Sequence, residues 1–248
     1  MHFKNIFFIS CLFLQSCAED QLGDCFTSVG ENTVETRQLG NFHTIDANKR
    51  FGLVIAQDSI KKGQIEISGG KNILKGFTTE ITEGTLKIRD KNKCNIVRQV
   101  QNPQVKIYFW KDLKNIKITS AASCTNEGPI QLSSLQIIGN STEKIELTNL
   151  DIDYIGFESK KSTDIILSGK TKEIRGQVNE VSNLYAWELE AENVLIDNHT
   201  VLNCFVDGSK IIYVNIYNDG HIYYRRPPMD KLELVSKAGR GDLLLYKP

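Results

Sequence analysis

The residue with the most definite chemistry is Cys17, which ends the string Leu14-Gln15-Ser16-Cys17 behind a short apolar run. A cysteine so placed is the lipid acceptor of an exported bacterial chain. The small Ser16 lets a signal peptidase close on the backbone, the chain is cut before Cys17, and the new N-terminal cysteine carries lipid. Lys4 supplies a positive start, and residues 6–14 are apolar except for Ser10. That run is too short to span a bilayer, which takes about 20 apolar residues. Two or three acyl chains on Cys17 anchor stably, where a single chain binds only marginally.

Other reactive types are sparse. His43, His199 and His221 have no metal-ligand spacing to one another or to a cysteine, and read as turn or surface residues. No H-E-x-x-H, C-x-x-C, Walker or G-x-S-x-G string occurs, so no metal, cofactor or catalytic residue is expected. Asp151, Asp153, Asp197 and Asp219 are the carboxylates by which a polysaccharide lyase or hydrolase would act. Asp151 and Asp153 fall on one side of an extended chain, roughly 7 Å apart, a spacing suited to an inverting pair. A polar outer face explains them more simply. Tyr213, Tyr217, Tyr223, Tyr224 and Tyr246 gather near the C-terminus with Arg225 and Arg226. Exposed aromatics beside arginine suit a glycan or protein partner, whereas cross-strand aromatic pairs would merely stabilise an end. Of these, Tyr213, Tyr217, Tyr223, Tyr224, Arg225 and Arg226 form the candidate binding surface. Arg240-Gly241-Asp242 spells a cell-attachment triplet short enough to arise by chance.

What positions these residues is a repeat. Apolar-x-apolar pairs recur about every 20 residues: Ile116/Ile118, Leu135/Ile137, Ile155/Phe157, Ile174/Gly176, Val194/Ile196, Ile212/Val214 and Leu232/Leu234. A second series runs about ten residues out of phase: Ile145/Leu147, Ile165/Leu167, Leu184/Ala186, Cys204/Val206, Ile222/Tyr224 and Leu243/Leu245. The second phase extends backwards through Val105/Ile107, Leu86/Ile88 and Ile65/Ile67 to Ile45. Alternation is strand periodicity, and Gly139-Asn140, Gly169-Lys170, Asp207-Gly208 and Asp219-Gly220 punctuate it as turns. A fixed period means stacked coils, each burying its inner face against the next. The expected fold is all-β: a single-stranded right-handed parallel β-helix, or β-solenoid. A β-sandwich has strands as often but no reason to keep phase. Ten coils at about 4.8 Å each make a rod about 45–50 Å long.

The organisation that follows is residues 1–16 as lipoprotein signal peptide, 17–38 as lipidated tether and 39–248 as β-solenoid domain. Ala18-Glu19-Asp20 resembles the surface-export signal of some Gram-negative lipoproteins, and equally suits a solvated tether. With 30 basic and 30 acidic residues, the chain lacks the basic excess that nucleic-acid binding requires. In the repeat register Cys124 and Cys204 sit in equivalent slots four coils apart, about 19 Å. That is too far for a disulfide, which needs Cα atoms within about 7 Å. Both read as small apolar core residues. Cys25 and Cys94 lie in polar, turn-like segments. An exported protein permits a bond between them, worth roughly 4 kcal/mol for a loop of about 70 residues.

A family likeness is carried by Gly40-Asn41-Phe42-His43-Thr44-Ile45, Phe51-Gly52-Leu53-Val54-Ile55-Ala56-Gln57-Asp58, residues 72–81 followed by Glu83-Gly84-Thr85-Leu86-Lys87-Ile88, and Asn218-Asp219-Gly220-His221-Ile222-Tyr223-Tyr224 with Pro227. Over residues 38–245 the chain resembles the putative auto-transporter adhesin head GIN domain family. That resemblance implies a right-handed β-helix in an exported, often lipid-anchored protein, and it brings no catalytic residues. The chain departs from the pattern at Ser159-Lys160-Lys161-Ser162, where small turns are usual, and at Arg226, where a glycine is usual.

The functional expectation is a non-catalytic, adhesin-like or scaffolding lipoprotein of the cell envelope. It is tied to the outer membrane through lipid, on the cell surface or the periplasmic face, and meets a glycan or protein. A polysaccharide-active enzyme on the same fold and a ligand-free periplasmic structural protein are the alternatives.

Overall fold

The structure, a computed structural model, describes residues 28–92 and 102–247. The Cys17 anchor, the 1–16 signal segment, Cys25 and Cys94 lie outside the described residues. Within them the chain forms seventeen strands and one short helix, wound as a β-solenoid of about seven turns with roughly 20 residues per turn.

The strands follow from the alternation. Along β11 (Ile145–Lys161), β12 (Ile165–Glu180) and β13 (Leu184–Thr200) apolar side chains turn inward at Ile145, Leu147, Ile155, Phe157, Ile165, Leu167, Ile174, Leu184, Val194 and Ile196. Each of these long strands runs round corners, so one coil presents three faces. The first face stacks Leu135, Ile155, Ile174, Val194, Ile212 and Leu232 in one column, and Ile116 of β8 (Asn115–Ser120) aligns with Ile137 of β10 (Ile130–Ser141), the next inward residue along. The second stacks Cys124, Ile145, Ile165, Leu184, Cys204, Ile222 and Leu243. The second column reproduces its sequence series, and the first does so from Leu135 onward, whereas Ile116 pairs with Ile137 rather than with Leu135. A third, short face, which the series did not reveal, aligns Ile130, Leu150, Gly169 and Leu189.

One corner between the first and second faces repeats a single device. Ser120, Lys161 and Glu180 adopt φ of 68°, 61° and 58°, a left-handed residue that turns the chain. Beside them the small polar side chains Ser141, Thr163, Ser182 and Thr200 are fully buried. They spend their hydroxyls on backbone: Thr163 Oγ1 accepts from Ser141 N at 2.8 Å and donates to Ser141 O at 2.9 Å. Thr200 Oγ1 donates to Glu180 O at 2.9 Å. Buried backbone groups at a corner must find such partners, because water cannot reach them.

The N-terminal third departs from the simple phase. Ile45 of β2 (Thr44–Asn48) and Leu86 of β6 (Thr85–Asp90) lie on the first face, aligned with each other and with Ile116. Val105 of β7 (Gln104–Phe109) lies on the second face, aligned with Leu53 of β3 (Gly52–Gln57). Val105 thus shares the second column with Ile145 through Leu53 and Cys124, as the sequence phase has it, whereas Ile45 and Leu86 do not. The coil of β2 and β3 is sandwiched, with β6 and β7 on one side and β8 and β9 (Ser123–Glu127) on the other. The chain reaches the far side by reversing. β4 (Gln64–Gly70) runs antiparallel to β7, and β5 (Phe77–Thr82) and β6 form a hairpin whose Glu83-Gly84 loop has φ of 50° and 70°. Two consecutive positive φ values are what a tight hairpin matching strand twist needs. This doubling back replaces sequential coils, so the rod has about seven turns rather than ten.

The reversal also closes the N-terminal end. The one-turn helix α1 (Lys71–Leu74) drops Ile73 and Leu74 into the core, and Phe77 meets Phe51 edge-on at 5.6 Å. β1 (Asn32–Gln38) pairs antiparallel with β4 as a polar outer strand. It lies inside the 17–38 segment expected to be tether; Asn-Thr-Val-Glu-Thr-Arg-Gln buries almost nothing, so no apolar pattern announced it. Polar edge strands discourage further pairing.

Candidate binding surface

The most distinctive outer surface is on the second face, towards the C-terminus. Each residue after an inward one points outward, and stacking aligns these residues across coils: Ile166, Tyr185, Phe205, Tyr223 and Leu244. Tyr185 and Phe205 are stacked at 5.5 Å with 6° between planes, and Phe205 and Tyr223 at 5.4 Å with 15°. Strand spacing near 4.8 Å sets these distances. Trp187 closes edge-on against Phe205 at 5.9 Å and against Tyr246 at 4.7 Å, and Tyr246 against Tyr223 at 6.1 Å. Tyr185 and Tyr246 remain 37% and 40% exposed, so the ladder is both packing and surface.

The residues expected as one binding surface are distributed over the coil. Tyr223 belongs to the ladder, and Tyr224 beside it packs against the core. Tyr213 stands on the first face, level with Leu195 and Glu233, with Lys231 Nζ 5.0 Å from its ring centre. Tyr217 lies flat against His199 at 4.3 Å. Arg225 Nη1 donates to Trp187 O at 3.3 Å and so flanks the ladder. Arg226 Nε lies 3.0 Å from Asp207 Oδ1, off the axis of a directed hydrogen bond, so the contact is mainly coulombic. Burial pushes the Asp207 carboxyl above its usual range, against the pull of Arg226 and Arg225. Proximity along the chain misled here, since residues ten apart lie on different faces. Tyr185, Trp187 and Phe205, absent from the expected site, were findable as the outward neighbours of Leu184, Ala186 and Cys204.

The third face carries the carboxylates considered for catalysis. Asp151 is level with Lys170 and Glu190 across three coils. Asp153 pairs with Lys172 at 2.8 Å, and both line an open groove of about 380 Å³ together with Glu192, which pairs with Lys210 at 2.8 Å. Hydrogen bonding to Asp153 holds the Lys172 ammonium above its ordinary range. Alternating charges on successive coils thus neutralise one another. Asp219 pairs with Arg240 and is held below the usual carboxylate range by that contact, and Asp197 accepts from Asn215 at 2.8 Å. The Arg240-Gly241-Asp242 triplet is thereby tied into the last coil, with Asp242 also bound to Lys237.

The histidines take structural roles: His221 Nδ1 accepts from Asp242 N at 3.0 Å, and His43 contacts Thr44 Oγ1 at 3.0 Å. Among the described residues no group of three metal-binding side chains occurs, and no helix is long and apolar enough to cross a membrane. Cys124 and Cys204 are unpaired and fully buried, and burial pushes both thiols up to about 12.

The same fold occurs in crystal structures of three other proteins. A putative adhesin from Bacteroides fragilis NCTC 9343 is 20% identical, with a TM-score of 0.79 over 87% of this chain and 97% of that one. A putative adhesin from Parabacteroides distasonis ATCC 8503 is 14% identical, with a TM-score of 0.64 over 88% and 98%. A putative lipid binding protein from the same Parabacteroides strain is 16% identical, with a TM-score of 0.63 over 88% and 98%. No functionally curated protein matches the chain. The family model for the Putative auto-transporter adhesin, head GIN domain, matches residues 41–228, from the first inward coil to the prolines after the aromatic ladder, and the chain belongs to that family.

Proposed function

We propose that the protein is a lipid-anchored, non-catalytic attachment protein of the cell envelope, held in the outer membrane through Cys17 and meeting its partner through the aromatic ladder. The observation that carries this reading is the outward column Tyr185–Phe205–Tyr223, with Trp187 and Tyr246 on its flank. Contiguous exposed apolar surface on a soluble domain marks an interaction site, and aromatic rings near arginine are favoured anchors. The ladder lies in the last coils, whereas Ser28, the first described residue, is held at the other end by Asn72 of α1. A chain tethered at its N-terminus therefore carries the ladder at the end away from the lipid. Neutralised carboxylates on the third face favour a role without catalysis.

The test combines protease shaving of intact cells with binding of the purified domain to glycan and protein arrays. Surface cleavage, and array binding that falls at least tenfold in a Tyr185→Ser/Phe205→Leu/Tyr246→Ser variant of unchanged fold, is the expected result. Binding unaffected by that variant removes the ladder as contact surface.

A further inference from the structure

A second surface, in other coils, has the make-up of a small-ligand site. Between β7 and β8 the chain makes a short excursion. Phe109 and Leu113 are buried at 2% and 1%, and the residues between them, Trp110, Lys111 and Asp112, are forced outward. Trp110 is 36% exposed and takes no part in the ladder. The excursion is pinned, because Lys114 N and Asn115 N both donate to His43 O, at 2.8 and 3.1 Å. His43 in turn is fixed by its own N–H to Gly84 O at 2.9 Å. Two rigid lips, 41–43 and 111–114, thus bound an open groove of about 460 Å³ floored by Phe42. Trp110 lines the adjoining recess.

The groups along these lips are complementary to one kind of molecule. Lys111 Nζ stands 5.7 Å from the Trp110 ring centre. Among the described residues neither Lys111 nor Lys114 forms an ion pair, whereas Asp112 is held by Lys62. An indole accepts the apolar C–H face of a pyranose, and the exposed Lys111 ammonium, which lies over the Trp110 ring, can turn from it to a carboxylate on the same sugar. Asn41, His43 and Asp112 offer donors and acceptors to hydroxyls along the groove. The groove volume falls in the usual range of small-molecule sites.

We propose that the groove between residues 41–43 and 111–114 binds a carboxylated saccharide, stacked on Trp110 with its carboxylate on Lys111 and Lys114. A neutral sugar leaves both ammonium groups unused, and inorganic phosphate leaves the indole unused. This site is separate from the aromatic ladder in residues and face, so it stands or falls independently of the attachment reading.

The chain has two tryptophans, so a Trp187→Phe variant of the full domain leaves Trp110 as sole reporter. Its emission is titrated with sialyllactose, an oligogalacturonate, lactose and inorganic phosphate. The expected result is a saturable change with at least one carboxylated sugar, with lactose and phosphate at least tenfold weaker. Affinity falls at least tenfold in a Lys111→Gln/Lys114→Gln variant whose thermal midpoint is unchanged, and the ladder variant described above binds normally. Absence of saturable change with both carboxylated sugars, equal affinity for lactose or phosphate, or indifference to the lysine substitutions overturns the proposal.

Discussion

Replacing Thr163 by valine removes one oxygen from a corner that water does not reach. Thr163 is fully buried, and its hydroxyl both receives the Ser141 N–H at 2.8 Å and donates to the Ser141 carbonyl at 2.9 Å. Valine keeps the branched shape, including the methyl that lies over Gly139, where an added Cβ would come within 2.5 Å of it. The packing is therefore kept and the two backbone groups lose this partner. Each orphaned buried group costs about 1–3 kcal/mol, so the pair costs about 2–6 kcal/mol. With a urea dependence of about 2–3 kcal/mol per molar, the midpoint falls by at least about 0.7 M. Thr163→Ser keeps the hydroxyl and loses the methyl, a loss of about 1 kcal/mol. Equilibrium unfolding, with amide exchange at Ser141 as the local probe, checks both. If Thr163→Val costs no more than Thr163→Ser, or leaves Ser141 exchange unchanged, the corner hydroxyls do not hold the coils together as argued.

Three further outcomes follow from particular contacts. Phe205→Ala removes the middle ring of the ladder, with stacks at 5.5 and 5.4 Å; at about 0.5–1.5 kcal/mol per aromatic pair, it lowers stability by about 1–3 kcal/mol before lost burial, and Tyr185→Ala, with one stack, by about half, as read by thermal melting. Asp207→Asn removes a carboxyl whose folded pKa is raised above 3.8 by burial. In the wild type the folded state holds its proton longer than the unfolded state, so the cost of ionising Asp207 is present at neutral pH and disappears as pH falls through that raised pKa; urea melts across pH should show the variant's relative advantage greatest near neutrality and shrinking on acidification. Finally, Ser28 O accepts from Asn72 Nδ2 at 2.9 Å and Asn92 Nδ2 donates to Ile73 O at 2.8 Å. The described residues nearest Cys25 and Cys94 thus both bind α1, which favours the Cys25–Cys94 disulfide. Non-reducing peptide mapping should recover that linked pair, and reduction should cost about 4 kcal/mol.

The solenoid itself was legible because its cause is local and repeated. Inward residues such as Ile155, Ile174 and Val194 recur because each coil must fill the same interior, and an outward slip would expose them all. The same register placed Cys124 and Cys204 in one column and kept them apart. The order of the first coils was not legible. Ile45, Leu86 and Val105 are equally apolar and similarly spaced, and only their hydrogen-bonded neighbours assign two to the first face and one to the second.

The candidate site divides in the same way. Residue types announced aromatic contact chemistry. Which aromatics meet was a matter of geometry: Tyr185, Phe205 and Tyr223 are distant in sequence and one strand spacing apart in space, while Tyr213 and Tyr223 are near in sequence and on different faces. The sequence alone determined the repeat and its interior. Tertiary structure decided the winding order, the closure by α1 and the aromatic column, because parallel strands bring together residues a full coil apart and those contacts leave no mark on the local pattern.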